Sequence, residues 1–123
     1  MTGPLAARGL LWRAQFWSFL KRHRRAIDDY RALLALEPQR VDAWRCIGFL
    51  YAQEKAPARA IEALAEAVRL APDDADTRFN LGFLYHERGD LDRAVIEFRE
   101  AIRLKPMQRQ ASTRFGSRAS NAR

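Results

Sequence analysis

Residues 41–74 read VDAWRCIGFLYAQEKAPARAIEALAEAVRLAPDD, and most of this pattern returns further along the chain. Trp44, Ile47, Gly48, Tyr51, Ala60, Leu64, Ala67 and Pro72 stand at positions 4, 7, 8, 11, 20, 24, 27 and 32 of a 34-residue window. One window later, Leu81, Gly82, Tyr85, Ala94, Phe98, Ala101 and Pro106 fill the same slots, and Arg78 stands where Trp44 did. One window earlier the copy is fainter: Trp17, Ala26, Tyr30, Leu33 and Pro38. A fixed period of this length marks stacked copies of one supersecondary unit.

Each copy reads as two antiparallel helices, A then B. In the middle copy they cover Val41–Glu54 and Pro57–Leu70. Trp44, Ile47 and Tyr51 recur at spacings of three and four, so they share one face of helix A. Leu64, Ala67, Val68 and Ala71 share a face of helix B in the same way. Gly48 and Ala60 are small, as a close helix approach requires. Glycine inside a helix costs about 1 kcal/mol relative to alanine, so its return at Gly82 points to packing. Pro72 and Pro106 are placed just after helix ends, because proline cannot continue a helix. Asp73 and Asp74 follow and are suited to cap the next helix. Trp44 and Tyr51 are expected in the interior, where truncation to alanine costs about 3–5 kcal/mol.

These residues resemble the tetratricopeptide repeat, a helix–turn–helix unit of the same period. The resemblance runs from Ala7 to Gln108, about 100 of the 123 residues. It implies an all-α, right-handed superhelical stack of three antiparallel helix pairs. The boundaries are 1–6 for a disordered N-terminus, 7–40 for a divergent first repeat, 41–74 for the second and 75–108 for the third. Residues 109–123 are either a basic tail or, over Arg109–Ala119, a degenerate capping helix, since terminal repeats need a polar-faced cap. The first repeat departs from the pattern, with Leu10, Arg13 and Ala14 at positions 4, 7 and 8. Its extra aromatics, Trp12, Phe16 and Phe19, fit a helix covering the open end of the stack, an amphipathic helix on an anionic membrane surface, or an Arg-rich targeting presequence.

The resemblance also places a binding site. In this family the A helices line a concave groove. The groove positions map onto Trp12 in the first repeat, Arg45 and Phe49 in the second, and Phe79, Asn80 and Phe83 in the third. Nothing in the core pattern asks for aromatic rings there. An apolar groove with a polar rim suits a peptide or a partner's amphipathic helix. One subtype of the family clamps a peptide's terminal carboxylates at five slots. Arg45, Asn80 and Arg114 fit it; Phe49 and Gln110 do not.

Composition narrows the rest. The net charge of +7 comes wholly from the two ends. Met1–Ile27 carries six Lys or Arg and no acid, and Met107–Arg123 carries four Arg and no acid. Between them twelve basic residues face all fifteen acids, so the repeat body is mildly acidic. Basic ends argue only weakly for nucleic acid. The single cysteine, Cys46, forms no internal disulfide and fits a reducing, cytoplasmic setting. Arg8 and Arg13 interrupt the apolar N-terminal run, so no membrane-spanning helix is expected.

Neither His23 nor His86 stands in a metal-ligand spacing, and no glycine-rich phosphate loop is present. The expected protein is therefore not an enzyme and uses no cofactor. Carboxylates such as Glu62, Glu66, Asp92 and Glu97 read as solvated outward faces. The sequence points to a scaffold that docks a partner protein segment. The alternatives are an adaptor that meets an anionic membrane or nucleic acid through its basic ends, and a self-associating assembly module.

Overall fold

A computed structural model describes residues 4–116, with side chains as far as residue 105. The described residues are all-α, with six helices and no strand. They form two compact units, one ending at Pro72 and one beginning at Asp73. The first unit holds α1 (Pro4–Phe19), α2 (His23–Leu36), α3 (Val41–Gln53) and α4 (Pro57–Leu70). Within it α1 packs on α2, α2 on α3, and α3 on α4. The second unit is the pair α5 (Ala75–Glu87) and α6 (Leu91–Gly116).

Consecutive helices pair because their apolar faces match. Ala26, Ile27, Tyr30, Leu33 and Leu34 of α2 join Ala43, Ile47 and Leu50 of α3 in one buried cluster, with Ala7 and Ala14 of α1. Burial, and then the neighbouring Cys46, raise the Tyr30 phenol well above its usual range. The small residues sit where helices touch. A Cβ placed on Gly48 would lie 2.5 Å from Leu64 Cδ2, and one on Gly82 would lie 3.0 Å from the Phe98 ring.

All three A-to-B turns share one backbone device. The amides of Arg22, Ala56 and Asp90 donate to the carbonyls of Trp17, Tyr51 and Tyr85 at 2.8, 2.9 and 2.9 Å. This is the hydrogen-bond signature of a Schellman helix end, which needs a left-handed residue one position earlier. That residue is Gly89 in the third repeat (φ 84°), but Lys21 and Lys55 in the first two (φ 62° and 59°). An L side chain in that region is strained, so Lys21→Gly and Lys55→Gly are each expected to stabilise the protein by about 0.5–1 kcal/mol after the entropic cost of glycine. Gly89→Ala is expected to cost about 1 kcal/mol. Urea titrations of the three variants check the signs.

Two boundaries differ from the sequence reading. Helix α1 begins at Pro4, inside the stretch expected to be disordered; proline suits a first helical position because its missing amide has no partner there anyway. Pro106 does not follow a helix end: α6 runs through it without a break, so residues 109–116 continue the third repeat's B helix and form no separate cap. Proline removes one helical hydrogen bond, here to the Ile102 carbonyl. The turn before it is held by buried Ala101 and Leu104. Ala119, the end of the expected cap, lies outside the described residues. Helix α4 ends at Leu70, two residues before Pro72, and Asp74 is the N-cap residue of α5. The Asp74 carboxylate accepts from the Thr77 amide at 3.3 Å and from its hydroxyl at 2.8 Å.

Candidate interaction surfaces

Burial divides the repeat positions by residue size. Gly48, Ala60, Gly82 and Ala94 are buried. Trp44, Tyr51 and Tyr85 are only half-buried. This differs from the expected interior placement of Trp44 and Tyr51. Both rings, with Ile47, form the floor of a cleft of about 990 Å³ between α2, α3 and α4. Each turns its polar atom outward. The Trp44 Nε1–H donates to the Pro38 carbonyl at 3.0 Å. The Tyr51 hydroxyl accepts from Arg31 at 2.9 Å, and the Arg59 guanidinium lies 5.9 Å from its ring centroid. Arg31, Arg59, Glu62 and Glu66 also line the cleft, and Glu66 is paired with Arg69.

The expected groove residues behave otherwise. Phe49, Phe79 and Phe83 are exposed, on α3 and α5. Phe79 leans on Phe98 of α6, with ring centroids 5.3 Å apart. Arg45 and Asn80 are half-buried. Arg45 stands one turn from Phe49, and Asn80 nearly one turn from Phe83, so each pair shares a helix face. Trp12 is exposed on α1 and stacks on Phe16, with centroids 5.7 Å apart and planes within 7°. Gln110 and Arg114, the last two slots of the carboxylate clamp, lie beyond the described side chains.

Two ion pairs escaped the sequence reading. Arg13, at the core-facing position 7 of its repeat, donates to Asp29 through Nε at 3.2 Å and Nη2 at 3.0 Å. Asp29 is buried while Arg13 remains mostly exposed. Arg78, in the slot of Trp44, pairs with Glu97 at 3.0 Å, and both are largely covered. Glu97 is thus no solvated surface carboxylate. Asp29 and Glu97 occupy the same position, 23, of their repeats, and the second repeat has Ala63 there. The signal was present in the sequence: an acid at position 23 accompanies an arginine on the preceding helix.

A third contact ties α2 to the end of α3: His23 Nδ1 lies 2.7 Å from the Glu54 carboxylate. Among the described residues no cluster of His, Cys, Asp or Glu could hold a metal ion, and no helix is long and apolar enough to cross a membrane.

The sequence profile of the tetratricopeptide repeat matches residues 47–114, more than half of the chain. The chain belongs to the tetratricopeptide repeat family. Solved structures agree on the fold. A crystal structure of MamA superposes with a TM-score of 0.80 at 22% identity, covering 85% of this chain and 61% of that one. MamA 41-end from Desulfovibrio magneticus RS-1 gives 0.74 at 23% identity, covering 80% and 56%. The second tetratricopeptide domain of Spaghetti (RPAP3), bound to the HSP90 peptide SRMEEVD, gives 0.73 at 17% identity, covering 80% and 91%. At such identities the likeness shows the tetratricopeptide fold alone. This chain spans about three fifths of the MamA chains it matches. No curated protein matches it.

Proposed function

We propose that this tetratricopeptide chain is a protein-interaction module. It holds a partner peptide or amphipathic helix by the aromatic rings of its A helices, Phe49 in the first unit and Phe79 and Phe83 in the second. The supporting observation is exposure: these three rings are between 42% and 53% exposed, at slots where pairing of the helices needs no aromatic residue. Rings of this size left in water are typical anchor points for a partner. Arg45 and Asn80, beside Phe49 and Phe83, supply polar groups that orient the bound segment.

The peptide bound to the RPAP3 domain supports a peptide as the class of partner. That peptide carries three acidic residues. Here Phe49 stands where the carboxylate clamp needs a polar group, so an apolar or amphipathic segment is the better fit. No reaction is assigned to the module, and we place it in a reducing, cytoplasmic setting on the strength of the lone Cys46.

Peptides selected from a random library against the wild-type chain provide the test. Phe49→Ala with Phe83→Ala is expected to weaken their binding at least tenfold while the circular dichroism stays unchanged. Undiminished binding overturns the assignment. The rival, adhesion of the basic segments to anionic lipid or nucleic acid, has a different mark: its affinity falls steeply with added salt, and the two phenylalanines do not matter to it.

A further inference from the structure

Within the first unit, the α2–α3 contact shows how one helix pair of this chain docks on the next. On α2, Ile27 and Leu34 are 6% and 8% exposed; on α3, Ala43 and Leu50 are 0% and 6% exposed. All four lie in one cluster, and Cys46 packs against it. The repeat period allows both halves of this contact to be located elsewhere. Two windows later, Ile27 and Leu34 become Val95 and Ile102 on α6, which are 45% and 69% exposed. One window before α3, Ala43, Cys46 and Leu50 become Gly9, Trp12 and Phe16 on α1. Trp12 and Phe16 are 66% and 42% exposed, and a Cβ placed on Gly9 meets nothing within 4 Å. Among the described residues, α6 therefore bears the α2-type half of the contact, α1 bears the α3-type half, and both halves are exposed.

We propose that these faces cover each other between copies: α6 of one molecule packs on α1 of the next, as α2 packs on α3 within a molecule. The occupant of each face is thus a second copy of this chain. Size supports the match. Trp12 adds volume where α3 has Cys46, while Gly9 and Val95 remove volume where the internal contact has Ala43 and Ile27. Charge opposes the symmetric alternative. α1 carries no acid, and Arg13 is already paired with Asp29, so α1 against α1 sets Arg8 near its own copy with no carboxylate of α1 to offset it, whereas α6 carries both signs. A contact between two different faces is head-to-tail, and it extends into chains of molecules rather than closing as a dimer unless the rotation forms a ring.

Sedimentation and light scattering of the full chain over a wide concentration range provide the test. The wild-type mass is expected to rise with concentration past that of a dimer. Val95→Lys with Ile102→Lys removes the α6 face, and Gly9→Lys with Trp12→Lys removes the α1 face. Each double variant alone is expected to stay monomeric, its association constant at least tenfold lower. Mixed in equal amounts, the two form a 1:1 dimer that grows no further, because each contributes one intact face.

Gly9→Lys by itself keeps the test valid if the Trp12 change disturbs α1, since its side chain enters open space and lysine favours the helix over glycine. Circular dichroism checks that helix content is kept. A wild-type chain that stays monomeric at every concentration overturns the proposal, as does one that stops at a dimer. So does a mixture of folded variants that fails to pair.

Discussion

Leu64→Ala is expected to lower the unfolding free energy by about 3–4 kcal/mol, the cost of a fully buried leucine cut to alanine with partial collapse of the cavity. Leu64 is 1% exposed, and its branched end rests against the bare backbone of Gly48. Gly48→Ala alone meets two opposed effects. Alanine favours the helix by about 1 kcal/mol. Its methyl would lie 2.5 Å from Leu64 Cδ2 and 2.6 Å from Cγ, so the buried leucine would have to shift. Overpacking of this kind costs about 1–3 kcal/mol, so the single variant is destabilised or barely neutral.

In the Leu64→Ala background the clash is gone. Gly48→Ala then stabilises by about 1 kcal/mol through helix propensity alone. The two changes are therefore non-additive by about 1–3 kcal/mol, the overpacking cost itself, readable in urea midpoints at constant slope. Simple additivity would mean that Gly48 is not there to admit Leu64. Gly82 is the comparison: its added methyl would meet the Phe98 ring at 3.0 Å and the Ala94 carbonyl at 3.3 Å, and the backbone carbonyl cannot turn away as a side chain can.

What the sequence made legible was whatever the repeat period carries. Gly48 and Gly82, Ala60 and Ala94, and the helix pairs themselves recur every 34 residues, so three imperfect copies vote on one answer. The unread features fail that vote. Lys21 and Lys55 take the left-handed position that Gly89 occupies in the third copy, and lysine carries no turn signal. Pro106 reads as a stop because Pro72 is one, yet the α6 backbone continues past it. Trp44 and Tyr51 are conspicuous as core residues by type, but their polar atoms reach Pro38 and Arg31, which leaves one edge of each ring at the cleft. The exposed rings of Phe49, Phe79 and Phe83 were legible only by exclusion, as aromatics in slots that the core does not use. Arg13 looked like a fault, and the remedy lies sixteen residues away on another helix.

That remedy gives the other large effect. Arg13→Ala leaves the Asp29 carboxylate buried without its cation, which is expected to cost about 2–3 kcal/mol. The value falls at the low end for a broken buried pair because the arginine itself is mostly exposed. The second repeat shows a different solution to the same geometry, with Ile47 at position 7 facing a helix that has Ala63 at position 23. Arg13→Ile with Asp29→Ala transplants that solution into the first repeat. Removing both charges also removes their desolvation, and an apolar replacement of an ion pair is often neutral or stabilising.

The double variant is therefore expected to match or exceed the wild type in urea, while Arg13→Ala alone falls well below it. The rescue would then reside in removing Asp29, because a buried carboxylate without a partner is what the single variant suffers from. If the double variant were as unstable as Arg13→Ala, the bridge would instead be setting the α1–α2 geometry. The third repeat offers the control: Arg78 and Glu97 form the same kind of pair from position 4 rather than 7, with both partners largely covered. Arg78→Ala should accordingly cost at least as much as Arg13→Ala, since neither of its charges has the water that Arg13 retains.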